Sequence, residues 1–170
     1  FFIFLFLLCS ARAIAQPEFD NRLSYDQIQA LLKDGIKPRD VRKQAMAWYH
    51  WAYYDEEQTG ITELAFEYLG RSADLFLEAG DTLAYYRVRS DLADHLSARK
   101  LWDEAIKIQQ EALDYYKQTG NLHYETHLLA KLSRVYANKG DEKQAGKLKR
   151  EFSSRNRLLK DTILDITMTM

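Results

Sequence analysis

Hydrophobic positions along most of this chain recur every three or four residues, which is the spacing of amphipathic helices. One such set is Leu92, Leu96, Ile106, Leu113 and Tyr116. Together with the turn signals between them, these patterns predict an all-α chain. The predicted helices are 24–34, 39–58, 62–79, 82–99, 103–119, 122–138 and 142–166.

Three of the predicted turns pair a glycine with a residue that can cap the next helix. Glycine closes a helix because it tolerates the left-handed conformation, and Asp or Asn accepts hydrogen bonds from the first free amides. The three pairs are Gly80-Asp81, Gly120-Asn121 and Gly140-Asp141. Two other pairs, Ser24 with Gln27 and Asp141 with Gln144, have the spacing of a capping box.

The sequence repeats at a period near 40 residues. A shift by that amount places Ala65 on Ala105 and then on Ala145, and it places Leu92 on Leu132. A repeat of this length indicates helix hairpins that stack on one another, because a single hairpin leaves one apolar face uncovered. We therefore expect three antiparallel hairpins: 39–79, 82–119 and 122–160.

These segments resemble tetratricopeptide (TPR) repeats over residues 39–160. The matching positions are Leu92, Ala93, Leu96, Ala105 and Ala112 in one repeat and Leu132, Ser133, Tyr136 and Ala145 in the next. The first repeat matches least, because Tyr53 stands at a position that is small in the family. The period exceeds the ~34 residues of ordinary TPR repeats, so the resemblance is to a longer and degenerate TPR-like class.

The resemblance implies a concave groove lined by the first helix of each hairpin. Such a groove would take a protein or an extended peptide as its partner. The positions carried over to this chain are His50, Tyr54, Arg87, Ser90, Asp94, Ser97, His127, Arg134 and Asn138, with Ala130 and Ala137 between them. For each of these residues the alternative is an ordinary solvated helix face.

Residues 1–15 have the pattern of a truncated signal peptide with cleavage after Ala15. The apolar run ends at Cys9 and is too short to span a bilayer, which takes about 20 residues. The alternatives are a core helix or the end of a membrane span. Cleavage would remove the only cysteine and would place the mature chain in the periplasm or another extracytoplasmic space, without disulfides. Residues 16–38 then form a lead-in and capping helix.

The last predicted helix carries two series with a seven-residue spacing, apolar except for one Asn at a core position. The first is Ala145, Phe152, Leu159 and Ile166, and the second is Asn156, Ile163 and Met170. This pattern is typical of a coiled-coil seam. It indicates either a long helix that caps the repeats or a connector, beginning at 161–170, that forms a homodimer or leads to a membrane tether. Its basic residues, which are Lys147, Lys149, Arg150, Arg155, Arg157 and Lys160, fit a solvated face or an acidic partner surface.

The composition offers little support for catalysis or nucleic-acid binding. Lys and Arg number 24 against 25 Asp and Glu, for a net charge of −1, so this segment lacks the basic excess that a phosphate backbone requires. Phosphate-binding and nucleophile motifs are absent from the sequence. His123 and His127 share a helix face, but a zinc site needs further ligands. We expect no cofactor and no metal.

The sequence therefore predicts a non-catalytic interaction module. The chain begins without Met and ends within a predicted helix, so we expect a piece of a longer protein. An exported helical repeat with a connector helix resembles the extracytoplasmic region of bacterial membrane-bound regulators such as sensor histidine kinases. The alternatives are a free secreted or periplasmic scaffold without an effector domain, and a metal-dependent enzyme that uses His123 and His127.

Overall fold

The computed structural model describes residue 19 and residues 22–33, 41–60 and 63–168, with side chains described as far as residue 160. These residues form seven helices and no strand, which confirms the predicted all-α class. The helices are α1 (Tyr25–Lys33), α2 (Val41–Thr59), α3 (Glu63–Glu78), α4 (Thr82–Ala98), α5 (Trp102–Gln118), α6 (Leu122–Lys139) and α7 (Glu142–Met168).

Helices α1, α4 and α6 begin where the sequence places their capping residues. The Asp81 side chain accepts a hydrogen bond from the amide of Ala84 at 3.0 Å, and Asn121 caps α6 in the same way. At α1 the capping box is complete. The Ser24 amide donates to Gln27 Oε1 at 2.8 Å, and the Gln27 amide donates to Ser24 Oγ at 3.3 Å. Local sequence therefore sets these boundaries.

The turn after helix α4 has a left-handed residue that is not glycine. Gly140 closes α6 with φ of 91°, in the left-handed region. Forty residues earlier, the corresponding position is Lys100, with φ of 64°, and it is the only non-glycine residue with positive φ in the described part of the chain. A side chain with a Cβ is strained in this conformation.

Four helices form one compact unit within Gln16–Arg99, called here the N-terminal unit. Helix α1 packs on α2, α2 on α3 and α3 on α4. Ala45 and Ala65 are fully buried, and the Ser72 hydroxyl donates to the Ala45 carbonyl at 2.7 Å. Since α2 packs on α3, the predicted hairpin 39–79 is confirmed.

The other three helices form a second compact unit within Lys100–Met170, called here the C-terminal unit. Helix α5 packs on α6 and α6 on α7, which confirms the predicted hairpin 122–160. The Ser133 hydroxyl donates to the Ala145 carbonyl at 2.9 Å, and Tyr116 stacks on Tyr124 with ring centroids 5.0 Å apart. The predicted hairpin 82–119 has one helix in each unit and stays a prediction.

An ion pair fixes α7 on α6. Arg155 Nε lies 2.8 Å from Glu125 Oε1, and the Glu125 carboxyl is buried. A buried carboxylate without its cation would be strongly destabilising. Arg155 therefore has a structural role on this helix, while its side chain is still 41% exposed. Lys149, Arg150 and Arg157 are exposed, as that prediction requires.

Only the first part of the heptad pattern on α7 falls on described side chains. Ala145 is buried, and Phe152, Asn156 and Leu159 are half-buried. The side chains of residues 161–170 and the whole predicted signal peptide 1–15 lie outside the described residues. Dimerisation through α7 stays a prediction. Among the described helices, none combines the length and the apolar content that a bilayer-spanning segment needs.

Because Lys100 is strained, its replacement by glycine should stabilise the chain. We expect Lys100→Gly to raise the free energy of unfolding by about 0.5–1 kcal/mol, because glycine adopts the left-handed conformation without steric cost. Urea unfolding followed by circular dichroism measures the change.

The matched control is Lys107→Gly, an exposed position inside α5. There the same replacement should lower the free energy of unfolding by about 1 kcal/mol, because glycine is a poor helix former. A loss of stability in both variants would contradict a strained Lys100.

Candidate functional site

A partly open pocket of about 240 Å³ lies beside α2 in the N-terminal unit. We call it the α2 pocket. Five of its lining residues come from α2, at positions that recur every four residues and so share one helix face. The lining is Phe19, Arg22, Leu23, Tyr49, His50, Tyr53, Tyr54, Glu57 and Arg87.

Three of the residues predicted to line a groove meet in this pocket. They are His50 and Tyr54 from α2 and Arg87 from α4. His50 is buried, Arg87 is half-buried, and Tyr54 is 37% exposed. The pocket therefore offers an imidazole, a phenol and a guanidinium group at graded depths.

The remaining predicted residues of α4 do not line the pocket. Ser90 and Ser97 are buried, and Asp94 is half-buried. Burial of the two serine side chains leaves little of either available to a partner.

The predicted residues of α6 belong to the C-terminal unit. His127, Arg134 and Asn138 are all exposed, and so are Ala130 and Ala137 between them. Their spacing places them along one face of the helix. This face is exposed on the C-terminal unit.

Phe19, from the segment before α1, packs into the pocket wall. Its ring is only 5% exposed. The centroid lies 4.8 Å from that of Tyr49, edge-on, and 5.6 Å from that of Phe76, stacked. The Arg87 guanidinium lies over the Phe19 ring at 4.2 Å. An aromatic ring held between two rings and a cation is in a favourable environment.

A buried polar cluster supports the same wall. Tyr49 Oη lies 3.1 Å from Asp91 Oδ2 and 3.4 Å from Tyr53 Oη. Burial is the main cause that raises the pKa of Tyr49 and of Tyr53, and the nearby Asp91 carboxylate raises both further. Both phenols therefore stay protonated above the pH near 10 at which an exposed tyrosine ionises, and their hydroxyl groups fix the rings in place.

Charges occupy the outer part of the pocket. Arg22 forms an ion pair with Glu57, and both side chains are largely solvent-exposed. Arg87 adds a second guanidinium group. The pocket thus combines an aromatic wall with fixed positive and negative groups, which suits the recognition of an aromatic and charged segment.

A cluster of partly exposed aromatic rings adjoins the pocket at Tyr54. Tyr25 lies 5.3 Å from Tyr54 and 5.4 Å from Trp51, measured between ring centroids. Tyr68 continues the cluster at 6.3 Å from Trp51. Aromatic side chains are enriched at protein interfaces, so this surface could extend the contact with a partner beyond the pocket.

The described residues contain no group of three or more His, Cys, Asp or Glu side chains placed to hold a metal ion. His123 and His127 lie on an exposed part of α6. Metal analysis of the purified chain remains the direct test of the metal-dependent alternative.

Several pocket residues were missed by the sequence reasoning. Tyr49, Tyr53 and Glu57 share a four-residue spacing on α2, and this signal was available in the sequence. Tyr53 stands out in the sequence only as a departure from the TPR pattern, yet it lines the pocket. Phe19 and Arg22 carried no such signal, because their contacts join segments distant in sequence.

Comparison of the chain with protein-family models, curated proteins and solved structures gives no match.

The phenol pair predicts a specific dependence of stability on pH. Unfolded tyrosines ionise near pH 10, whereas the raised pKa values keep Tyr49 and Tyr53 protonated in the folded chain. Their contribution to stability is complete below that pH and is lost as the pH rises above it.

We expect the free energy of unfolding to fall above pH ~10. In Tyr53→Phe the slope of this fall should be smaller than in the original chain, by about 1 kcal/mol per pH unit. Urea unfolding at several alkaline pH values measures both slopes. Identical slopes for the two proteins would show that Tyr53 ionises equally in the folded and unfolded chains.

Proposed function

We propose that this chain is a non-catalytic protein–protein interaction module whose N-terminal unit binds a peptide segment of a partner in the α2 pocket. The observation that supports this most is the composition of the pocket wall, in which Tyr49, Tyr54 and Arg87 converge. Tyrosine and arginine are the residue types that most often dominate binding energy at interfaces.

The size of the pocket favours a side chain over a free small molecule. Pockets for drug-sized ligands measure roughly 300–1,000 Å³, and the α2 pocket measures about 240 Å³. A cavity of this size takes one or two side chains of a longer ligand, whose remainder contacts the surrounding surface. The partly exposed aromatic cluster from Tyr54 to Trp51 supplies such a surface.

We further propose that the module is the exported sensory part of a larger signal-transduction protein. The pattern of residues 1–15 supports export. The 27-residue helix α7 supports a connector, because it packs on α6 and is about 40 Å long at 1.5 Å per residue. Binding would then be passed on through α7, as a homodimer or toward a membrane tether.

Selection from a peptide-display library against the immobilised chain tests the binding function. We expect peptides to be enriched, and Arg87→Glu to weaken their binding by about tenfold or more, a loss of at least 1.4 kcal/mol. The matched control is Lys107→Glu, an exposed position on α5 with the same change of charge, which should bind like the original chain.

Selected peptides that bind Arg87→Glu as well as they bind the original chain would contradict a site in the α2 pocket. The sensory role has a separate test, which is the gene sequence downstream of the Met170 codon. An apolar stretch of about 20 residues followed by a further domain is expected. A stop codon soon after Met170 would favour the free exported scaffold.

A further inference from the structure

We infer that an exposed basic groove on α7 binds the phosphate groups of phospholipids, so that this helix lies on the surface of an anionic membrane. The groove belongs to the C-terminal unit. The inference goes beyond the peptide-binding function proposed for the α2 pocket and does not depend on it.

A shallow groove runs along one face of α7, and all the residues that line it come from this helix. Most of them are spaced by three or four residues, which places them on the same face. We call it the basic groove, and its lining is Gly146, Lys149, Arg150, Ser153, Ser154 and Arg157. Arg150 and Arg157 are roughly 10 Å apart along the helix axis, and the short serines between them leave room for a ligand group.

The lining of the groove supplies positive charge and hydrogen-bond donors. Guanidinium groups bind phosphate through two parallel hydrogen bonds, and a lysine ammonium group acts as a point charge. The Ser153 hydroxyl donates to the Lys149 carbonyl at 2.9 Å, and the Ser154 side chain is exposed beside it. No carboxylate lines the groove. A group with negative charge and several acceptor oxygens, such as a phosphate, therefore suits it.

Other charged side chains of α7 are already paired with neighbouring helices. The Glu151 carboxylate lies 2.8 Å from Lys117 Nζ of α5, and Arg155 pairs with Glu125 of α6. Among the described residues, the structure shows no carboxylate paired with the three cations of the groove. Their charge is therefore available to a ligand.

The extent of the charge favours a membrane surface over a free anion. Exposed Lys143 and Lys160 continue the row of cations, which is about 25 Å long at 1.5 Å per residue. The groove has no second wall that would enclose a small anion, because one helix forms all of it. A long and open row of cations suits a plane of many phosphate groups, to which each Lys or Arg is attracted.

The face of α7 opposite the groove is occupied by packing. Ala145 and Leu148 are buried, and α7 packs on α6. The groove therefore faces away from the core of the C-terminal unit. Since the net charge of the whole chain is −1, overall charge provides no attraction to an anionic surface, and binding would depend on this local face.

Sedimentation of the full chain with vesicles tests the inference. The probes are vesicles of phosphatidylcholine alone and vesicles in which about one third of the lipid is anionic phosphatidylglycerol. We expect at least about tenfold tighter binding to the anionic vesicles. This difference should disappear in about 1 M salt, where charges are screened beyond about 3 Å. The apolar residues at the start of the chain would bind both kinds of vesicle alike, so the difference between the vesicles is the measure.

Substitution of the three cations identifies the site. Lys149→Gln/Arg150→Gln/Arg157→Gln should bind anionic vesicles about 100-fold more weakly, because each cation near such a surface contributes about fivefold. Glutamine is a good helix former, and circular dichroism checks that the variant folds. If it does not fold, Arg157→Gln alone provides the test, with an expected loss of about fivefold.

The matched control removes three exposed lysines elsewhere, on α1, α2 and α5. This variant is Lys33→Gln/Lys43→Gln/Lys107→Gln, and its net charge equals that of the groove variant. It should bind anionic vesicles like the original chain. An equal loss in both variants would overturn the inference, because net charge and not the groove would then govern binding.

Equal binding of the original chain to neutral and anionic vesicles would also overturn the inference. Titration calorimetry with inorganic phosphate then identifies what the groove does. Phosphate binding that the groove variant loses would assign the groove to a soluble phosphate, and no binding would make it a solvated helix face. The display selection against the α2 pocket is decided separately from all of these results.

Discussion

Each helix of this chain depends on the helix next to it in sequence. Helices of 16–19 residues, such as α2 and α3, have limited stability alone in water, and most of their stability comes from packing one face on a partner. Fully buried alanines allow the close approach that this requires, with Ala45 and Ala65 in the N-terminal unit and Ala105 and Ala112 in the C-terminal unit. Side chains larger than alanine cannot enter these contacts without separating the helices.

The α2 pocket lies where large side chains stand in place of small ones. Tyr53 stands at a position that is small in the TPR pattern, and Tyr49 lies one helical turn before it. Tyr49 is buried and Tyr53 is half-buried, so their phenols need polar partners, and Asp91 of α4 lies 3.1 Å from the Tyr49 hydroxyl. Large rings at these positions leave an uneven surface instead of a close helix contact. That surface is where Phe19 packs.

The sequence predicts the features that depend on neighbouring residues. Helix positions, the capping box at Ser24 and the cap at Asp81 all follow from spacing within a few residues. The left-handed conformation of Lys100 cannot be predicted in this way, because no residue type other than glycine reliably marks such a turn. The TPR resemblance places Ser90 and Ser97 in the groove, but both side chains are buried, and a position in a family pattern does not reveal burial.

The site itself could be predicted only in part. His50, Tyr54 and Arg87 were found through the TPR resemblance, because repeat geometry places them on the first helices of two hairpins. Phe19 lies 30 residues before Tyr49, and local patterns carry no record of a contact over such a distance. Its role becomes visible only when the fold brings the two rings to 4.8 Å.

The most direct test of a peptide-binding site at α2 is a crystal structure of the chain with a display-selected peptide. The account predicts a side chain of the peptide in the α2 pocket, in contact with Tyr54 and the Arg87 guanidinium. A peptide bound instead on the exposed face of α6, along His127 and Arg134, would contradict it.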